Sequence, residues 1–208
     1  MTTTTRSVLR KSCEVVRRVG FSLSLVVARQ LKTAKRGFSF SENGKLDMRM
    51  DNSKGIDAFT VVNTLSENNL AEIIKNYSEE RFATKIAANI NKRRLIKQII
   101  DTKELADIIY TSIPKKFHKP GIHPATKTFQ AIRIFINKEL EMLHKLMKAI
   151  PSVVAKDGIV AIISFHSLED RIVKNSFQHY AKDCICPPGL PLCSCGKEKV
   201  LEIVNKKP

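Results

Sequence analysis

The segment Ser164-Phe-His-Ser-Leu-Glu-Asp-Arg171 concentrates the side chains best suited to chemistry. It follows Gly158–Ile163, an apolar and mostly β-branched run that is typical of a strand buried on both faces. Ser167 suits the N-cap of a following helix, and the acid three positions later fits a variant of the capping box. Ligands of open α/β sheets bind at the carboxyl ends of strands. The candidate catalytic residues are therefore Ser164, His166 and Asp170, and a purely helix-capping role is the alternative.

Four cysteines form a second cluster, with the spacing Cys184-x-Cys186 and Cys193-x-Cys195 around a Pro-Pro-Gly turn. Four thiolates at a tight turn can hold zinc tetrahedrally, although C-x-C is a less usual spacing than C-x-x-C. Disulfide bonds and reduced thiols in a turn are the alternatives. Cys13 stands alone in the sequence.

A third stretch begins at His123, and Pro124 suits the opening of a helix. The helical spacing of the apolar residues predicts a long helix over Ala125–Ile150 with Phe129, Ile132, Phe135, Ile136, Leu140 and Leu143 on its core side. A second stripe at steps of three and four is polar and consists of Lys127, Gln130, Arg133 and Asn137. This stripe is either a solvated face or a face turned towards a polyanion.

The 208 residues carry a net charge of +16, with a pI of about 9.8. Such an excess of Lys and Arg favours binding to phosphate backbones, and a solubilising surface is the alternative. Basic residues cluster at Lys92-Arg93-Arg94 and at Lys115-Lys116 with His118 and Lys119. No apolar run reaches the roughly 18 residues that span a bilayer, so we expect no membrane partner.

The middle of the chain predicts a helical module over residues 45–120. Ser66 caps one helix, Ser78 begins another, and Thr102 begins a third that ends before Pro114. Three amphipathic helices without intervening strands differ from a series of βαβ repeats.

Arg36-Gly-Phe-Ser-Phe40, Leu46-Asp-Met-Arg-Met50, the helix that opens at His123 and the segment 164–171 together resemble the bacterial small-subunit (16S) ribosomal RNA cytosine-N4 methyltransferase family. The resemblance runs from about Gln30 to Val204. It implies a cytoplasmic enzyme that transfers a methyl group from S-adenosylmethionine to N4 of a decoding-site cytidine in small-subunit ribosomal RNA. A non-catalytic, basic RNA-binding fragment is the alternative. The residues expected to bind RNA are Lys92, Arg93, Arg94, Lys115, Lys116, Lys127, Arg133 and Arg171.

The resemblance predicts an α/β fold, namely a partial Rossmann-like methyltransferase domain with a helical insertion. Residues 30–44 and 121–208 would form the methyltransferase core, with a strand over Gly158–Phe165 and an edge strand over Lys199–Asn205. Residues 45–120 would be the insertion. Strand edges and apolar surface would stay uncovered, so we expect the isolated chain to be marginally stable and prone to association.

Residues 1–29 depart from the family pattern. The glycine-rich turn and the ribose-binding acid that such a methyltransferase needs are both missing, and only Gln30 carries over as a cofactor contact. We therefore expect weak binding of S-adenosylmethionine by this chain. A transit peptide, a disordered leader and a change of reading frame near residues 26–29 are the explanations, and we favour the last.

Overall fold

The computed structural model describes residues 21–23, 37–40, 42–187 and 192–204. The chain divides into two compact units. One is Leu25–Glu139, the helical unit. The other combines Met1–Ser24 with Leu140–Pro208, and we refer to it as the strand–helix unit.

The helical unit consists of short helices joined by tight connections. The predicted insertion of residues 45–120 lies within this unit, which continues to Glu139. Residues 45–57 contain no helix, so the expectation of a helical module holds only from Ala58 onwards. The elements are α1 (Ala58–Thr64), α2 (Glu67–Ser78), α3 (Ala83–Ile96), α4 (Thr102–Ser112), a 3₁₀ turn (Lys115–Phe117) and α5 (Ala125–Asn137).

Side-chain caps fix where these helices begin. Asp57, Ser66 and Asp101 each accept a hydrogen bond from the backbone N–H three residues later. The predicted cap at Ser66 and the predicted start at Thr102 are therefore confirmed. Such caps satisfy N–H groups that have no partner within the helix.

The prediction that a helix begins at Ser78 is wrong. The Ser78 hydroxyl donates to the carbonyl of Ile74, and α2 ends at Ser78 with Glu79 as its C-cap, whose φ is 52°. The next helix begins only at Ala83, after Glu80 accepts a hydrogen bond from the N–H of Phe82. A serine bonded back to the carbonyl four residues earlier ends one helix here instead of opening the next.

The core of the helical unit is continuous. Twenty buried hydrophobic residues of the described part of this unit form one cluster, from Phe38 to Ile132. Phe129 and Ile132 belong to it, which confirms them as core-facing residues of α5, and Phe135 and Ile136 pack against it. Burial of apolar side chains on this scale is the main stabilising contribution to a small domain.

The prediction of one long helix over Ala125–Ile150 is wrong. The chain breaks at Lys138, with φ 51°, between α5 and α6 (Glu139–Val153). The side-chain amide of Asn137 is bonded to the backbone of Met48 and Met50, and Arg133 forms an ion pair with Glu139 across the break. These polar contacts stabilise a turn that hydrophobic periodicity alone does not reveal.

The strand–helix unit contains α6, β2 (Val160–Ile162) and α7 (Ser167–Ala181), together with β1 (Phe21–Leu23). β1 and β2 pair in parallel, with Phe21 opposite Val160 and Leu23 opposite Ile162. Val160 and Ile162 pack with a small cluster centred on Met147, Ile150 and Val173.

The prediction of a buried strand over Gly158–Phe165 is correct in place but wrong in length and burial. Only Val160–Ile162 is strand, and the flanking Ile159 and Ile163 are 65% and 62% exposed. Within the described residues the sheet has two strands. One face of β2 packs on helices, and the other face is open. This exposed apolar surface agrees with the surface expected of a partial sheet.

The predicted edge strand Lys199–Asn205 is also not observed. Residues 199–204 have no strand, and the N–H groups of Val200 and Leu201 donate to the carbonyl of Tyr180 at the end of α7. Asn205 lies outside the described residues. The described part of the chain is thus rich in helix with little strand, and none of its helices is long and apolar enough to cross a membrane.

Candidate functional site

Three of the motifs that carry the family resemblance meet in the helical unit, at a place that we call the motif junction (Phe40, Met48, Met50, His123 and Asn137). Asn137 at the end of α5 donates to the carbonyl of Met48 at 2.8 Å and accepts from the N–H of Met50 at 2.7 Å. One amide side chain thereby fixes the 46–50 segment against α5. These two hydrogen bonds, and a third that the amide donates to the carbonyl of Arg133, leave this side chain little freedom.

Aromatic rings connect the other two motifs of the junction. The ring centroid of Phe40 lies 4.6 Å from that of His123 and 5.0 Å from that of Phe129. The Tyr110 ring of α4 contacts both His123 and His118. The junction thus joins segments far apart in sequence through tilted and edge-to-face ring contacts.

Two residues of the motifs that meet at the junction have a positive φ. Met48 is fully buried with φ 59°, a region that L residues rarely adopt. Gly37 has φ 69°, and a Cβ atom there would lie 2.1 Å from the carbonyl oxygen of Lys45. The R-G-F-S-F motif therefore needs glycine at its second position for both conformation and space.

A basic and aromatic surface lies around the 3₁₀ turn, and we call it the basic platform (Arg81, Phe82, Lys115, Lys116 and Phe117). The Arg81 guanidinium lies 4.5 Å from the ring centroid of Phe117, and the Lys116 amine lies 5.1 Å from it. Arg81, Lys115 and Lys116 are exposed. Cations around an exposed ring suit a phosphate backbone and a stacked base.

The three residues of the predicted cluster Lys92-Arg93-Arg94 have different roles. Arg93 forms an ion pair with Glu104, and Arg94 donates to the carbonyl of Val62 at 2.8 Å. Lys92 is exposed. Two of the three cations thus stabilise contacts among helices, a role that a sequence cluster of like charges does not indicate.

Two further predicted RNA contacts lie on α5. The Lys127 amine is 3.9 Å from a carboxylate oxygen of Glu80, and its side chain is about half exposed. Arg133 is mostly buried and forms two hydrogen bonds with Glu139. Arg133 therefore belongs to the turn between α5 and α6, whereas Lys127 remains accessible.

At the carboxyl end of β2, His166 is the N-cap of α7. Its Nδ1 accepts from the N–H of Glu169 at 3.3 Å, and its Nε2 lies 3.3 Å from Glu169 Oε1 without well-directed hydrogen-bond geometry. Glu169 Oε2 accepts from the N–H of Phe165 at 2.9 Å. The capping prediction at Ser167 and Asp170 is therefore wrong by one residue, because His166 and Glu169 perform these roles.

The three candidate catalytic residues are near one another in sequence but have different partners. Asp170 forms an ion pair with Lys174 at 2.9 Å, on the solvent side of α7. Ser164 is half-buried just after β2. The predicted cofactor contact Gln30 lies outside the described residues.

All four cysteines of the second cluster come together. The Sγ atoms lie within 4.8 Å of one another. The backbone N–H of Ile185, followed by that of Lys197, lowers the pKa of the Cys195 thiol to about 6. The N–H of Cys186 lowers the pKa of Cys184, but contacts with the thiols of Cys193 and Cys186 outweigh it and raise that pKa to about 12.

Sequence reasoning missed two residues of these sites. Glu169 bonds the backbone before α7, and its signal was the acid three residues after a possible His cap. Phe117 is the ring of the basic platform, and its signal was an aromatic residue between Lys116 and His118. An aromatic side chain within a basic run is a typical feature of nucleic-acid surfaces.

Comparisons with known proteins agree with the motifs. Residues 9–208 match the profile of the MraW methylase family. The chain is 49% identical over 183 residues to ribosomal RNA small subunit methyltransferase H of Clostridioides difficile (strain 630), covering 88% of this chain and 59% of that protein. The protein of the same name from Geotalea uraniireducens (strain Rf4) is 49% identical over 190 residues, covering 91% of this chain and 61% of that protein.

A third relative with this name, from Clostridium botulinum (strain Kyoto / Type A2), is 49% identical over 179 residues, covering 86% of this chain and 58% of that protein. The chain therefore spans about three fifths of the length of these curated relatives. The family match extends through the motif junction, the basic platform and the start of α7, and so the chain belongs to the MraW methylase family.

Proposed function

We propose that this chain contributes RNA-binding and target-base residues to an S-adenosylmethionine-dependent methyl transfer onto N4 of a cytidine in small-subunit ribosomal RNA. The observation that carries the proposal is the motif junction, where Asn137 and His123 hold two other family motifs in place. The names of the relatives support a ribosomal RNA substrate. A reaction on bacterial ribosomal RNA belongs to the cytoplasm.

In this proposal the helical unit binds the RNA backbone. The phosphates contact Lys115, Lys116 and Arg81 around the Phe117 ring. Further phosphates contact two other accessible lysines, Lys92 and Lys127. Arg93, Arg94 and Arg133 support this surface through contacts with acids and backbone. Lysine and arginine contacts of this type release counterions, so affinity should fall steeply with salt.

The strand–helix unit supplies the target-base side in the same proposal. His166 is a positioning residue, because its Nδ1 already accepts from the Glu169 N–H and its ring fixes the turn that presents Ser164. Asp170 and Arg171 follow on the first turn of α7. Residues 30–44 and 121–208 would belong to an α/β, Rossmann-like core. Its strand β2 pairs in parallel with β1, which lies before residue 30, so residues 21–23 would join the sheet of that core.

The described residues do not build a cradle for S-adenosylmethionine. A Cβ atom at Gly158, before β2, would meet the turn's own Ala155 carbonyl at 2.9 Å, and the Glu169 and Asp170 carboxylates already have partners. The cofactor therefore does not fit these residues alone. We predict that the 208-residue chain binds it weakly, and micromolar affinity in isothermal titration calorimetry would contradict this.

RNA binding to the helical unit tests the proposal. We expect the 208-residue chain to bind a decoding-site RNA hairpin more tightly than a scrambled RNA of equal length, by fluorescence anisotropy. Replacing Lys115 and Lys116 by Ala should weaken binding and reduce the salt slope by about 0.7–0.9 for each phosphate that these lysines neutralise. Lys75→Ala, an exposed lysine on α2, is the matched control.

Equal affinity for the two RNAs would contradict recognition of the decoding-site sequence, and an unchanged salt slope in the double variant would refute this interface. A methylation assay on small-subunit RNA separates the two candidate functions of the chain. Methylated N4-cytidine would show an active transferase. Specific RNA binding without methylation would support the alternative of a non-catalytic RNA-binding fragment.

A further inference from the structure

The cysteine cluster is separate from the surfaces assigned above. The Sγ–Sγ distances are 3.5 Å for Cys184–Cys193, 3.9 Å for Cys186–Cys193, 3.4 Å for Cys193–Cys195 and 3.9 Å for Cys184–Cys195. The first cysteines of the two C-x-C pairs are nine positions apart in sequence, yet the sulfur atoms of both pairs converge on one point. Convergence of four soft donors is a property of the folded loop, not of spacing alone.

The distances match one kind of chemistry. Zinc bound by four thiolates has Zn–S bonds of about 2.3 Å, so tetrahedral geometry separates its sulfur atoms by about 3.8 Å. The observed separations of 3.4–3.9 Å bracket that value. A disulfide would need about 2.05 Å between two of the sulfurs, and the four described cysteines are free.

Backbone groups around the cluster favour thiolate ligands. The N–H of Cys186 donates to Cys184 Sγ at 3.4 Å. The N–H of Ser194 donates to the sulfur of Cys186, and those of Ile185 and Lys197 donate to the sulfur of Cys195. Hydrogen bonds to ligating sulfur are the outer contacts that orient metal ligands. Without a cation, four sulfur groups this close together would repel one another once ionised.

The described residues of the loop have little other stabilising structure. Residues 182–187 and 192–199 contain no helix or strand, and the Cys184 and Cys193 side chains are exposed, so apolar burial contributes little there. Small segments without a core are commonly held by a metal or by disulfides.

We propose that Cys184, Cys186, Cys193 and Cys195 bind one Zn²⁺ ion in a closed tetrahedral site. Four protein ligands leave no position for water or substrate, so the ion is structural. It ties the loop that follows α7 to itself. The site stands on the thiol geometry and is independent of the proposed methyl transfer.

Metal analysis of the reduced 208-residue chain tests the site. After reconstitution with equimolar Zn²⁺ and gel filtration, we expect one Zn²⁺ per chain and protection of four of the five thiols from a thiol reagent. Co²⁺ in place of zinc should give the intense visible bands of tetrahedral coordination with sulfur-to-metal charge transfer. Cys193→Ser should weaken Zn²⁺ affinity by more than about 100-fold, since even outer contacts are worth 10–100-fold.

Cys13→Ser is the matched control, because it removes a cysteine other than the four proposed ligands and should retain one Zn²⁺ per chain. Circular dichroism verifies that each variant keeps its helices. Several results would overturn the proposal: no bound metal after reconstitution, octahedral Co²⁺ spectra, equal affinity in Cys193→Ser, or disulfides within the cluster that persist in reductant.

Discussion

The helical unit and the strand–helix unit are stabilised in different ways. Among the described residues, the helical unit has twenty buried hydrophobic side chains in one cluster, whereas the strand–helix unit has three. In the latter Ile159, Ile163 and Phe165 remain exposed around β2. Short amphipathic helices can cover one another completely, but a two-stranded sheet has two faces and needs further layers to bury both.

The two units also hold their motif residues in position in different ways. The helical unit holds the motif junction by buried packing and by the Asn137 amide. The strand–helix unit positions its polar residues through a helix cap, and in our proposal a metal ion holds the loop that follows α7. We therefore expect association of the chain, if it occurs, to involve the exposed apolar surface around β2.

The largest expected effect is on the core of the helical unit. Leu70→Ala removes a fully buried side chain and should lower the free energy of unfolding by about 2–5 kcal/mol. Ile150→Ala in the strand–helix unit should lower it by less, because its cluster is small and can relax. Urea unfolding followed by circular dichroism compares the two, and an equal loss would show that the units are equally packed.

The second prediction separates the cost of a steric clash from the cost of a positive φ at Gly37. Gly37→Ala should cost about 3 kcal/mol, because it adds a clash with the Lys45 carbonyl to the cost of a positive φ. Gly55→Ala has a similar φ of 76° with open space around it, so it should cost about 1 kcal/mol. Thermal unfolding of both variants gives the difference, and equal costs would show that the clash contributes nothing.

The third prediction concerns the amide that joins two motifs. Asn137→Ala leaves the Met48 carbonyl and the Met50 N–H without this partner, which should cost about 1–3 kcal/mol. Asn137→Asp keeps the acceptor for Met50 and loses the donor to Met48, so it should also destabilise the chain. Denaturation of both variants is the measurement. A neutral Asn137→Ala would show that water replaces both bonds.

Sequence alone predicted the helices whose starts carry local signals. Ser66 and Thr102 mark helix beginnings correctly because capping and helical periodicity are local properties. The break at Lys138 was missed because its cause is the long-range bond from Asn137 to Met48 and Met50. The exposure of Ile163 was missed because an apolar run does not indicate how many layers of secondary structure cover it in the fold.

The site was predictable to a similar degree. The four cysteines meet as their spacing allowed, since a turn brings the two pairs together. Arg93 and Arg133 were predicted to bind RNA, but each faces an acid that lies elsewhere in the sequence. Charge clusters identify a basic surface, whereas ion pairs formed in the fold decide which cations remain available.

The smallest expected effect tests the cap of the strand–helix unit. His166→Ala removes the acceptor for the Glu169 N–H and should cost about 1 kcal/mol, the usual contribution of an N-cap. His166→Asn should retain most of the stability, because asparagine is among the best N-cap residues. Hydrogen exchange at the Glu169 amide measures the cap directly and does not depend on the stability of the helical unit. Faster exchange in His166→Ala and slow exchange in His166→Asn would assign the ring a capping role, whereas equal protection in both would show that the Glu169 N–H does not need this side-chain acceptor.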